Sequence, residues 1–169
     1  MNDLFKNRRS VRKFTDRPVT DSQIYEIICA GMVAASGCNT KGYQLVLVKN
    51  KSMLEKLSKM GKWVDFLKGC SYAVVITAKD YPFWIEDCTL VASNIMHEAV
   101  NQGLGCCWAD IKDGMVLDKT DRVSIVQKLL GIPKEQHVLC AIAIGNPDQK
   151  VKPHSESDYD EKKIHMEKW

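Results

Sequence analysis

The chain has 169 residues, 45% of them hydrophobic, and a net charge of +3, which is enough apolar material for one domain spanning residues 1–169 without a linker or second domain. The charge is local. Lys6, Arg8, Arg9, Arg12 and Lys13 stand against Asp3 at the start of the chain, giving +4 there and −1 for the remainder, a distribution that speaks against a general nucleic-acid-binding surface.

After the basic arm, Thr20-Asp21-Ser22-Gln23 has the form of a capping box, and Ile24, Ile27, Ile28, Gly31 and Ala35 recur at helical spacing, so residues 21–35 are expected to be an amphipathic helix. Tyr43–Val48 is a short apolar run bounded by Gly42 and Asn50 and predicts a buried strand. Ser52-Met53-Leu54-Glu55 again has capping-box form and opens a helix to about Met60. Residues 72–78 predict a second buried strand.

A long helix follows, with Asp87 as its expected cap, a stripe through Cys88, Val91, Ala92, Ile95, Met96, Ala99 and Val100, and Gly103 as its stop. His97 falls outside that stripe and reads as an exposed or capping histidine. Beyond it come a short strand over 106–109, a polar loop, a helix from about Asp121 to Leu130 ended by Gly131 and Pro133, and a third long buried strand over 138–144. The tail from Pro153 is charged, with Tyr159, Ile164, Met166 and Trp169 as its apolar anchors, and is expected to dock on another surface. Strands and helices mix without regular alternation, which favours an α+β fold.

The seven cysteines contain no C-x-x-C pair and mostly lie inside apolar runs, as small hydrophobes do in a reducing cytoplasm. Adjacent Cys106 and Cys107 point to opposite faces of a strand and read as packing, not as a metal site or a vicinal disulfide. No apolar run approaches the roughly 18 residues of a membrane span, and no apolar h-region follows the basic N-terminus. A soluble protein is expected. Nucleotide loops of the G-x-x-x-x-G-K-[ST] and G-x-G-x-x-G types are missing, as are H-E-x-x-H and G-x-S-x-G, so neither a metal nor a nucleophile triad is implied.

What remains is the octapeptide Asn7–Phe14. Guanidinium forks match phosphate oxygens and a neighbouring hydroxyl adds a further hydrogen bond, so Arg8, Arg9, Ser10 and Arg12 suit a terminal phosphate; a solvated charge run is the plain alternative.

Read with distant segments, the chain resembles the nitroreductase family of FMN-dependent oxidoreductases. The resemblance rests on R8-R-S-V-R-K-F, A35-S-G-C-N39 ahead of an apolar strand, G103-L-G-C-C-W-A-D-I111, L130-G-I-P, and A143-I-G-N-P with Lys150 and Lys152. It implies a central, mostly antiparallel sheet flanked by helices, and a homodimer across which the C-terminal tail is exchanged. By the same resemblance Arg8, Arg9, Ser10 and Arg12 hold the FMN phosphate and ribityl chain, with Lys150 and Lys152 a second basic pair on that phosphate. Ala35, Ser36, Gly37 and Asn39 would reach the isoalloxazine from the partner subunit, and Asp110 and Ile111 would lie beside flavin N5. The implied activity is hydride transfer from NAD(P)H through FMN to a small oxidised acceptor such as a nitroaromatic or quinone, by ping-pong turnover in the cytoplasm. No general acid is assigned.

The chain departs from the family pattern at Ala35, Lys41, Gly42 and Tyr43, where two prolines are lost, and a looser loop is expected there. The short connection 80–86 puts Tyr81, Phe83 and Trp84 either in a substrate pocket or in dimer packing. Alternatives on the same fold are a flavin-binding redox sensor or carrier, or a flavin-fragmenting or dehalogenating enzyme. A nucleic-acid contact by the arm would predict strongly salt-dependent binding.

Overall fold

The computed structural model describes residues 1–114 and 118–169; the middle of the polar loop expected before the last helix, residues 115–117, lies outside the described residues. Among the described residues four strands, β1 (Tyr43–Val48), β2 (Tyr72–Ala78), β3 (Gly105–Asp110) and β4 (His137–Gly145), form one sheet in the order β1-β2-β4-β3. All three pairings are antiparallel. Helices among the described residues include α1 (Asp3–Asn7), α2 (Asp21–Met32), α3 (Lys51–Ser58), α4 (Trp84–Asn101) and α5 (Arg122–Leu130), with a 3₁₀ stretch over Lys62–Gly69.

Both faces of the sheet are covered, which explains why β2 and β4 read as continuous apolar runs instead of alternating ones. On one face Val74, Ile76, Ile142 and Ile144 pack under α2 and α4. On the other Ala73, Val75, Ala141 and Ala143 pack under α3, the 62–69 stretch and α5. Full burial of each Ile contributes about 2–3 kcal/mol, so these two layers dominate stability. A register shift opposite Ile76/Thr77 leaves Leu139 as an extra residue in β4, and the alternation of that strand slips there as a bulge requires.

Helix boundaries follow their hydrogen-bond partners. At α2 the capping box is complete, Thr20 Oγ1 accepting from the Gln23 N–H and Gln23 Oε1 from the Thr20 N–H. The helix ends at Met32, short of the expected Ala35, where the Tyr43 hydroxyl donates to the Met32 carbonyl at 2.8 Å. The expected cap of α3 is corrected: Asn50, not Ser52, accepts the Met53 N–H at 3.1 Å, and the helix starts at Lys51. Asp87 does not cap α4 either. The helix begins three residues earlier, and the buried Asp87 carboxylate turns to donors elsewhere in the chain.

Gly103, at φ +73°, does stop α4. His97 is half-buried, its Nδ1 2.8 Å from the Ser93 carbonyl and its ring edge-on to Phe5. Every residue from Glu156 to Trp169 is exposed, so within one chain the tail does not lie against the core. Among the described residues no helix is long and apolar enough to cross a membrane.

Candidate functional site: a donor-lined cleft beside the edge strand

After α1, the basic arm runs along the outer edge of β3. Ser10 bridges to Cys106, the Val11 N–H donates to the Cys106 carbonyl at 2.9 Å, and Phe14 bridges to Pro147. Two glycines permit this approach: a Cβ on Gly105 would lie 2.7 Å from Val11 Cγ1, and one on Gly145 would lie 2.8 Å from Phe14 Cδ1. The G-L-G segment of the sequence thus has a steric reason for its second glycine.

The segment after β4 runs back antiparallel to the arm. The Asp148 N–H donates to the Lys13 carbonyl and the His154 N–H to the Lys6 carbonyl, each at 2.9 Å. Gln149 Oε1 accepts the backbone N–H groups of both Arg12 and Lys13, at 2.8 and 3.0 Å. The Arg9 guanidinium donates to the Lys152 carbonyl. Segments more than 130 residues apart in sequence are tied by backbone bonds.

Between them lies a cleft of about 430 Å³ lined by Arg8, Arg9, Ser10, Arg12, Gln149, Val151 and His154. Its lining holds cations and neutral hydrogen-bonding groups and no carboxylate, a donor set that fits a phosphate group. The four arm residues singled out in the sequence therefore meet in one place. Lys150 and Lys152 belong to the same segment, but their exposed side chains are not among the lining; in extended chain residues 149 and 151 face one way and 150 and 152 the other. Lys152 contributes its carbonyl instead.

Arg12 and Gln149 are shared with a larger cleft of about 1040 Å³, whose lining includes Phe14, Lys62, Trp63, Phe66, Trp108 and Asp110. The Arg12 guanidinium stands 5.9 Å from the Phe66 ring centroid, a cation–π distance. The aromatic side of this cleft comes from the 3₁₀ stretch, which sequence periodicity missed; Val64 and Leu67, both fully buried and three residues apart, are the signal that could have found it. Gln149 left no such signal.

Asp110 reaches the large cleft, and its Oδ2 accepts the Asp113 N–H at 3.0 Å. Ile111 is placed differently. Its side chain is buried in the core and its N–H donates to the Leu139 carbonyl at 3.3 Å.

Ala35, Ser36, Gly37 and Asn39 lie elsewhere, in the connection that leads to β1 at the opposite edge of the sheet. The arm flanks β3, so the two parts belong to opposite edges of the sheet, whose edge strands stand three strand spacings, roughly 14 Å, apart. Despite the lost prolines the loop is pinned: Asp87 accepts the Gly37 N–H and the Tyr81 hydroxyl at 2.8 Å each, and Ser36 Oγ accepts the Lys41 N–H at 3.1 Å. The aromatics of the 80–86 connection serve this frame. Tyr81 braces Asp87, Phe83 lies against Gly37, and Trp84 stacks on His137 with ring centroids 4.5 Å apart.

Burial pushes the thiols of Cys70, Cys88 and Cys106 up to about 12 and that of Cys107 upward, so these cysteines are protonated packing groups near neutral pH. Among the described residues no cluster of His, Cys, Asp and Glu could hold a metal ion.

The nitroreductase family model matches residues 5–63 and 58–146. A candidate NADH dehydrogenase/NAD(P)H nitroreductase of Archaeoglobus fulgidus is 31% identical, the alignment covering 98% of this chain and 97% of that protein. A larger relative, the NADPH-flavin oxidoreductase of Vibrio harveyi, is 27% identical over 86% of this chain and 65% of its own length. Among solved structures, an FMN-dependent nitroreductase from Clostridium difficile superposes with a TM-score of 0.95 at 32% identity, over 100% of both chains. With matches spanning nearly the whole sequence and the fold, the chain belongs to the nitroreductase family.

Proposed function

We propose that the protein is an FMN-dependent NAD(P)H oxidoreductase of small oxidised acceptors such as nitroaromatics or quinones. The carrying observation is the meeting of Arg8, Arg9, Ser10 and Arg12 in a carboxylate-free cleft that opens into a second one more than twice its volume. The small cleft takes the phosphate. Arg8, Arg9 and Arg12 supply charge and forked N–H donors, and Ser10 adds a hydroxyl. The large cleft is roomy enough for a planar ring system and a second small molecule, with Trp63, Phe66 and Trp108 as apolar sides. When bound, FMN supplies hydride acceptance and donation at N5. The chain's own part is to fix the phosphate, orient the ring by Asp110 and its neighbours, and limit water at the aromatic side. Donor and acceptor use the same cleft in turn, so turnover is ping-pong.

The site is completed by a second copy of the chain. Ala35, Ser36, Gly37 and Asn39 cannot reach the arm of their own subunit across the sheet, but a homodimer would bring the partner's loop to it, and the exposed tail with its Trp169 would wrap the other subunit. Exposed Tyr25 and Met32 of α2, Val33 just after it, and Ile85 and Leu90 of α4 supply apolar surface for that contact. A reducing cytoplasm suits the free thiols.

The reading is tested by titrating the purified protein with FMN and following NADH and NADPH oxidation with a quinone, alongside sedimentation. Stoichiometric FMN uptake, steady turnover and a dimer are expected. A protein that takes up no FMN, or binds it without turnover, would overturn the assignment.

A further inference from the structure

Arg122 is the largest fully buried side chain among the described residues, 1% exposed at the first position of α5. Burying a cation is costly, and an apolar residue of similar volume would fill the same space without that cost. The charge therefore has work to do beyond packing. One guanidinium nitrogen, Nη1, donates to the Asp110 carbonyl at 3.0 Å, and Nη2 pairs with the Asp118 carboxylate.

Both sides of the large cleft are rooted on this group. Asp110, whose carbonyl it holds, lines one side together with Trp108. On the other side, Gly61 immediately precedes the stretch that supplies Lys62, Trp63 and Phe66. A Cβ on Gly61 would lie 2.7 Å from Asp118 Oδ2 and 3.0 Å from Arg122 Nη2, and its φ of +152° is one that side chains resist. The backbone of residue 61 thus rests directly on the ion pair. The 110–111 peptide is fixed at both ends, its carbonyl by Arg122 and its N–H by the Leu139 carbonyl.

We propose that Arg122 is a positioning residue that sets the separation of the two cleft sides and the attitude of Asp110 within it, so that a planar aromatic ring and its reaction partner are held in register. Asp118 neutralises the guanidinium and Gly61 gives the close approach. The inference rests on the reading that this cleft takes the flavin ring.

The test compares Arg122→Met, which keeps much of the volume, with Arg122→Lys, which keeps the charge without the fork. FMN affinity is read by fluorescence titration, the visible spectrum of the bound flavin by difference absorbance, kcat and KM by steady-state turnover, and folding by circular dichroism. For R122M the expected result is a folded protein with a shifted flavin spectrum, weaker FMN binding, and a kcat lower on the order of tenfold to a hundredfold, the scale of a misplacement of about 1 Å. R122K should recover part of each. If R122M does not fold, Gly61→Ala, which leaves the arginine in place and presses on the pair, carries the test and should show the same spectral shift. Unchanged spectrum, affinity and kcat in folded R122M, or in G61A if R122M does not fold, overturns the role of Arg122 while leaving the flavin reading intact. Wild-type protein that takes up no FMN overturns both.

Discussion

Asp87 and Gly37, fifty positions apart, are joined by a hydrogen bond of 2.8 Å from the Gly37 N–H to a carboxylate that is only 2% exposed. Around it Cys38, Asn39 and Lys41 all take positive φ, a conformation non-glycine residues adopt at some cost. Removing the carboxylate leaves the Gly37 N–H and the Tyr81 hydroxyl without their acceptor. Asp87→Ala should lower stability by about 2–4 kcal/mol and Tyr81→Phe by about 1 kcal/mol, on the scale of lost buried hydrogen bonds. Urea denaturation of the single and double variants checks this, and the two effects should be non-additive because they share one network.

Arg12 separates phosphate recognition from ring recognition. Charge-assisted hydrogen bonds contribute about 1.5–3 kcal/mol each, so Arg12→Ala should weaken FMN binding by roughly tenfold to a hundredfold. Riboflavin lacks the phosphate but still meets Arg12 in the larger cleft, so it should lose clearly less affinity than FMN. Parallel fluorescence titrations with the two ligands measure the difference; equal losses for both would place Arg12 on the ring and not on the phosphate.

Gln149 makes no use of charge, yet its amide oxygen accepts two backbone N–H groups of the arm. Gln149→Ala exposes those donors to water, so stability should change by less than about 1 kcal/mol. Orientation of the arm should suffer more. A several-fold weaker FMN affinity with a nearly unchanged melting temperature is expected from titration and calorimetry on the same sample.

The buried thiols predict an alkaline limit. Cys70, Cys88 and Cys106 are pushed up to about 12 by burial, whereas an unfolded thiol ionises near pH ~8.5. Above that pH the unfolded chain binds fewer protons than the folded one, so the stability from these thiols is fully present below about pH 8.5 and is lost as pH rises toward the folded values. The urea midpoint should fall between pH 8 and pH 10, and Cys106→Ala should flatten that fall. At pH 8 a thiol reagent should reach exposed Cys38 quickly and the buried cysteines only after denaturation.

The strand at 72–78 has the bounds its apolar run predicted, because a strand buried on both faces writes itself as an uninterrupted local signal. The strand at 43–48 also has its predicted bounds, but its expected burial is corrected: at the edge of the sheet Gln44 and Leu47 are exposed. Caps were less legible. Asp87 has the residue type and position of a helix cap, but its partners are Gly37, Thr40 and Tyr81, and only folding brings those donors to it. Asn50 displaced Ser52 for a local reason, since it stands one residue before the helix and reaches the N–H three positions on.

By itself the sequence determined the chemistry of the arm, the identity of the core strands and the absence of nucleotide-loop and metal-protease motifs, because residue type and short-range period carry that information. The tertiary structure decided which groups meet. The order β1-β2-β4-β3 leaves β3 at an edge where the arm can lie against Gly105, turns Gln149 and Val151 toward the arginines and Lys150 and Lys152 away, and seats Arg122 between Gly61 and Asp110. Pairing between segments distant in the chain is set by how whole layers pack, and no local window of residues encodes it.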